Sequence, residues 1–139
     1  MYMKGIIDTK NFLKSVLNKE VGLRTGNALS HVCVFDIKGY DRLLFLTDVA
    51  FMTYPSLEEK VQIIENTVPD GVKLVIAPDS SSNDYDVHEK LKDRGIDVLV
   101  IDHHEAERVS ENAIVINNQL CNYPTKSLSG VGMVYKFCC

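Results

Sequence analysis

Two short stretches hold side chains able to do chemistry. In LVIAPDSSSND an apolar run ends at Asp79, and in DVLVIDHHE a second apolar run ends at Asp102-His103-His104. Carboxylate oxygen and imidazole nitrogen together suit a divalent cation, manganese or iron better than calcium, with magnesium and zinc left open. If the two runs are neighbouring strands about 4.8 Å apart, one cation with bonds of about 2.1 Å can bridge side chains from both ends. In an extended segment successive side chains point to opposite faces, so both histidines reach one site only if the chain turns there. They are therefore given different roles. His103 binds metal, and His104 reaches the substrate or a leaving oxygen. Taken singly, each residue also fits a polar strand end or a helix cap. Placed at equivalent ends of two strands, the set points to a site.

A second candidate is LSGVGMVYKF. Ser129-Gly130-Val131-Gly132 opens a helix, where bare amides and the positive dipole end favour an anion and glycines allow close approach to the backbone. Lys126 lies just upstream as a cation for a phosphate or for solvent. Ser80, Ser81, Ser82 and Asn83 can donate to a phosphate, but before a helix such residues more often form turns and caps. Glu105, Glu107 and Glu111 read as solvated surface.

The elements that must position these residues are legible in part. A short helix over Asn11–Leu17 is followed by breaks at Gly22, Gly26 and Asn27. HVCVF (residues 31–35) and RLLFLTDV (residues 42–49) read as strands joined by a hairpin or tight turn across Lys38–Asp41. Ser56 and Glu59 make a capping box for a helix with Leu57, Val61, Ile64 and Val68 on its core face, and Pro69-Asp70-Gly71 ends it. VKLVIA (residues 72–77) has the look of a strand buried on both faces. Asp84 is placed to cap the next helix, which carries Val87 and Leu91 one turn apart. Gly95 closes that helix, DVLVI (residues 97–101) is a second buried strand, and AIVI (residues 113–116) a weaker third. The strand–helix–strand unit from Val72 to Ile101 has the size of a parallel crossover. The expected fold class is α/β, with a mainly parallel sheet flanked by helices.

Length and composition bound this reading. At 139 residues the chain is expected to form one domain, and 45% apolar with 24% charged residues suits an ordered globular protein. No apolar run approaches the roughly 20 residues of a membrane span. Lys4 and Asp8 interrupt what a signal peptide keeps apolar, so a cytoplasmic location and no membrane partner are expected. Cys33, Cys121, Cys138 and Cys139 lack C-x-x-C spacing and read as reduced thiols. The net charge of −4 argues against a basic face that coats nucleic acid. The acidic excess falls mostly after Val72, where a bound cation would offset part of it.

VLVIDHHE, followed by NNQLCNYPTKSLSGVGMVYKF, resembles the DHH phosphoesterase superfamily, in particular its RecJ-like single-strand-specific exonucleases. LVIAPDSSSND looks like that family's strand ending in a metal-binding Asp, and the resemblance covers residues 72–137. It implies manganese as cofactor, with magnesium as substitute. Asp79 and His103 are implied metal ligands, His104 a contact to the scissile phosphate or leaving group, and Asp102 a support for both histidines. Ser129, Gly130 and Gly132 would lie along the substrate backbone, with Lys126 nearby. The implied substrate is single-stranded DNA, cut from its 5′ end, or a short oligonucleotide or cyclic dinucleotide. The family's first motif, D-x-D-G-x-T-S, is not found: Lys10 follows Asp8 where a second Asp belongs, and Ala50 and Phe51 follow Asp48. A further metal-binding Asp and a second, nucleic-acid-gripping domain also fall outside these 139 residues. The expectation is thus an incomplete or weakly active phosphoesterase core, its missing ligands coming from another chain. The alternative is a non-catalytic DHH-fold binding module in a replication or repair complex.

Overall fold

The computed structural model describes residues 5–27, 29–48, 51–52, 54–68 and 71–139. The chain divides into two compact units, Met1–Met52 and Thr53–Cys139. The motif-bearing residues 72–137 all lie in the second.

In the first unit, helix α1 (Thr9–Val16) starts two residues earlier than expected because Asp8 caps it, accepting from the Asn11 amide at 3.0 Å. Strands β1 (Cys33–Asp36) and β2 (Leu43–Leu46) pair antiparallel, from Cys33 opposite Leu46 to Asp36 opposite Leu43. Gly39 supplies the left-handed backbone of the turn between them (φ 87°). None of this unit's described residues is buried, and Val34, Phe35, Leu43 and Leu44 stay exposed.

The second unit holds the core. Helix α2 (Leu57–Thr67) begins with the full capping box: Ser56 Oγ accepts from the Glu59 amide, and the Glu59 carboxylate accepts from the Ser56 amide. The expected stop at Pro69-Asp70 lies outside the described residues, while Gly71 takes a left-handed φ of 94°. Strands β3 (Leu74–Pro78), β4 (Asp97–Asp102) and β5 (Ile114–Asn117) form a parallel sheet in that order, with Val75 beside Val98 and Val100 flanked by Ala77 and Val115. These residues share one face, and α3 (Tyr85–Asp93) buries Val87 and Leu91 against it. Leu57, Val61 and Ile64 of α2 complete the cluster. Helix α4 (Gly130–Cys138) packs on β3 and β4 with Met133 buried.

Two expectations change. Strand β3 is not buried on both faces: as an edge strand it alternates, with Leu74 and Ile76 about half exposed on the side away from the core cluster. Only β4, in the centre, is nearly continuous in its burial. Asp84 sits at the N-cap position of α3 but makes no side-chain cap. Its carboxylate turns instead to the Lys60 ammonium, at 2.7 and 2.8 Å, and to Ser81 Oγ at 2.8 Å. A full charge within hydrogen-bonding distance outcompetes a backbone amide for that carboxylate.

His88 is a buried residue to which the sequence pattern assigned no place: it is 1% exposed, with Nδ1 3.0 Å from Ser110 Oγ. Burial pushes its pKa down, the Asp84 carboxylate pushes it up and Lys60 pushes it down again, and the net shift is downward. Below about pH 6.5 the unfolded chain therefore takes up a proton that the folded chain resists, so this residue's contribution to stability falls as pH drops. Urea unfolding at about pH 7.5 and 5.5 is expected to show a larger loss for the natural chain than for His88→Gln, which keeps a hydrogen-bonding amide and cannot titrate. Equal losses would contradict this account.

Candidate metal centre

The site lies beyond the carboxyl ends of β3 and β4, the position at which open parallel sheets bind ligands. Pairing of Pro78 with Ile101 brings the two strand ends level, and the Asp79 amide donates to the Ile101 carbonyl at 2.8 Å, one residue past the strand. Asp79 then turns the chain with a φ of 59°, and Ser81 repeats the left-handed conformation at 75°. A short polar side chain is the type that tolerates this region outside glycine. The turn leaves Asp79 exposed and its carboxylate Oδ1 3.1 Å from His103 Nε2.

On β4, Asp102 is 1% exposed and ends the strand. Its Oδ1 accepts from the amides of His103 (2.8 Å) and His104 (3.3 Å) and lies 2.7 Å from His104 Nδ1. Its Oδ2 accepts from the Ser82 amide at 3.2 Å. Burial alone pushes the Asp102 carboxyl up, but the hydrogen bonds from Ser82, His104 and the two histidine amides outweigh it and bring the pKa down to about 2. The His104 pKa is raised, first by its hydrogen bond to Asp102 and then by the charge of that carboxylate.

By folding the backbone of both histidines around one carboxylate, this turn puts their rings side by side, with centroids 4.5 Å apart. One ligand atom from each of Asp79, His103 and His104 lies within 4.8 Å of the others, the one such group of three found among the described residues. The 3.1 Å between Asp79 Oδ1 and His103 Nε2 matches the edge of an octahedron with bonds of about 2.1 Å, which is about 3.0 Å. His104 offers Nε2, because Nδ1 faces Asp102; a carboxylate behind a ligating imidazole fixes its tautomer and orientation. The residues present fit a hard or borderline divalent cation.

Residues to which the sequence pattern gave no role hold this loop from the third strand. Asn117 Nδ2 donates to Ser82 Oγ (2.8 Å) and to the His104 carbonyl (2.9 Å). Gln119 Nε2 donates to the His103 and Lys126 carbonyls at 3.2 and 2.8 Å. The signal available was the position of N-N-Q at the carboxyl end of the third parallel strand, level with the other two. Lys126 is not directed into the triad: its ammonium donates to the carbonyls of Asn118, Gln119 and Cys121 and closes the loop before α4. Ser129 caps α4, accepting from the Gly132 amide at 3.4 Å, and Gly130 is buried against Asp79.

Replacing the charge of Asp102 while keeping its shape tests the origin of the His104 shift. In Asp102→Asn the His104 pKa is expected to fall towards the ordinary histidine value of about 6.5, measured by NMR titration of the metal-free protein. An unchanged pKa would mean that Asp102 is not its source.

Residues 6–139 match the family described as "DHH family, N-terminal domain". Relatives fall into two kinds. A phosphate butyryltransferase of Clostridium beijerinckii is 66% identical over 68 residues, 49% of this chain and 22% of that enzyme. YorK of Bacillus subtilis, a putative prophage-derived single-strand DNA-specific exonuclease, is 58% identical over 77 residues, 55% of this chain and 13% of that protein. The single-stranded-DNA-specific exonuclease RecJ of Haemophilus influenzae is 32% identical over 101 residues, 68% of this chain and 18% of its own length. The chain thus spans less than a quarter of each of these relatives. The match over nearly its whole length, with a DHH sequence standing at the end of the central strand, means that the chain belongs to the DHH family, with RecJ-like relatives.

Proposed function

We propose that the chain carries a DHH-type phosphoesterase site that takes a divalent cation, manganese first and magnesium second, and acts on phosphodiester bonds of single-stranded DNA or short oligonucleotides. The observation that carries this reading is the convergence of Asp79, His103 and His104 at two adjacent strand ends, with buried Asp102 behind them. The single-strand-specific exonucleases among its relatives support the choice of substrate.

Asp79 and His103 would hold the cation, which supplies Lewis-acid stabilisation of charge on phosphoryl oxygen. His104, held through Nδ1 by Asp102, presents Nε2 to the scissile phosphate or the leaving oxygen. The left-handed turn at Asp79 keeps its carboxylate 3.1 Å from His103 Nε2, so both ligands are in place before a cation arrives. Ser129 and Gly132, at the start of α4, would run beside the substrate backbone. A chain with one such cluster among its described residues is a weak catalyst by itself, and further ligands would come from elsewhere.

Manganese titration by calorimetry is expected to show one site in the natural chain, weakened at least about tenfold in Asp79→Ala and in His103→Ala. Release of nucleotides from single-stranded DNA with manganese is expected to be slow or absent for the chain alone. Identical binding by all three proteins would overturn the metal reading, and rapid turnover by this chain alone would overturn the expectation of weak activity.

A second reading rests on the 66% identity with phosphate butyryltransferase over about half the chain. On that reading, part of the chain is an acyltransferase-like segment carried beside the DHH-type site. Its consequence is a thermal shift of the full chain with phosphate or butyryl phosphate that persists in His103→Ala. Absence of any shift would leave the phosphoesterase reading alone.

A further inference from the structure

The two glycines of Gly130-Val131-Gly132 do not stand in equivalent surroundings. A Cβ built on Gly132 would meet Leu128 and Ser129 side chains at 3.5 Å, ordinary contact. A Cβ on Gly130 would overlap Oδ1 and Cγ of Asp79 and lie 2.6 Å from its Cβ. Gly130 is buried and opens α4 without a positive φ, so backbone freedom does not explain it. Nor does helix propensity, since alanine is the better helix former. What a side chain would lack there is space, and Asp79 occupies it.

Side-chain rotation cannot relieve this crowding. Turning the carboxylate about its last bond moves Oδ1 but leaves Cγ in place, and turning about the first bond moves Cγ but leaves Cβ. Asp79 is also held by its backbone, through the bond from its amide to Ile101 and the left-handed turn. On the other side, α4 is fixed by the Ser129 cap and by buried Met133. We infer that Gly130 is a positioning residue for the cation site: the bare backbone at the start of α4 is the wall against which the Asp79 carboxylate rests, 3.1 Å from His103 Nε2. This gives the first glycine a role other than approach to a phosphate. It also ties the segment beside the substrate to a metal ligand, and it builds on the cation reading above.

The experiment compares Gly130→Ala and Gly132→Ala in the full chain. Gly130→Ala is expected to bind manganese at least about tenfold more weakly by calorimetry, with Gly132→Ala close to the natural chain. A crystal structure of metal-free Gly130→Ala is expected to show the Asp79 Oδ1–His103 Nε2 separation increased beyond 3.1 Å. If that separation is kept, the inference is overturned. If the natural chain binds no manganese, the cation reading fails while the crystal structure still decides the role of Gly130. Should Gly130→Ala fold poorly, Asp79→Gly removes the obstructing side chain and suits the left-handed backbone. The melting temperature lost in Gly130→Ala is then expected to return in the double variant, a non-additivity that assigns the clash to this pair. Additive losses would overturn the inference.

Discussion

The buried carboxylate of Asp102 is the constraint on which the rest of the site depends. A charged group at 1% exposure is tolerable only when its lone pairs are occupied, and here three backbone amides and one imidazole occupy them. Those same bonds do the structural work of the site. They end β4, wrap the backbone of two successive histidines around one oxygen, and fasten the Ser82 loop from the neighbouring strand. An apolar residue here would leave the three amides and the His104 ring without their acceptor. The DHH sequence is therefore one device: the acid makes the turn that lets adjacent histidines share a site.

The sheet completes what Asp102 begins. Parallel pairing brings the ends of β3, β4 and β5 level, so Asp79, the histidines and Asn117 emerge side by side although far apart in sequence. The three strand ends then play different parts. The first presents a carboxylate on a left-handed turn, the second presents imidazoles, and the third anchors their carbonyls through Asn117 and Gln119. The amide side chains hold main-chain carbonyls of the DHH turn without adding charge beside the ligands.

Much of this was legible from local pattern. Apolar runs with turn residues between them announced β3, α3 and β4, and the capping box at Ser56 marked the start of α2, because these depend on neighbours within a few residues. What local pattern could not settle was which face is covered. VKLVIA reads the same whether its strand is central or at an edge, and only the strand order decides that Leu74 and Ile76 are half exposed. Competition between partners was hidden too: Asp84 sits where a cap belongs, yet Lys60, brought in by a different helix, takes its carboxylate. That both histidines face one site was hidden as well, since in an extended chain successive side chains point to opposite faces. The turn that brings them together depends on a bond from a side chain to its own following amides. The neighbour of Gly130 lies about fifty residues away in sequence, so a glycine pair looks uniform until the fold makes one of them a contact.

Charge accounting bears on how many cations such a cluster suits. Among the cluster's three residues Asp79 alone is anionic; His103 would ligate as a neutral imidazole, and the Asp102 charge is already engaged by donors behind the histidines. One divalent ion on this set keeps a net single positive charge, which one phosphodiester anion neutralises. A second divalent ion would leave a threefold positive site with no further carboxylate in the cluster to offset the repulsion between two such ions about 4 Å apart. The same reasoning connects the acidic excess of the carboxyl-terminal part to the site without making it the cause. Asp84 is engaged by Lys60 and Asp97 lies beside Lys92, and within the cluster what matters for the cation is the single charge that Gly130 leaves room for.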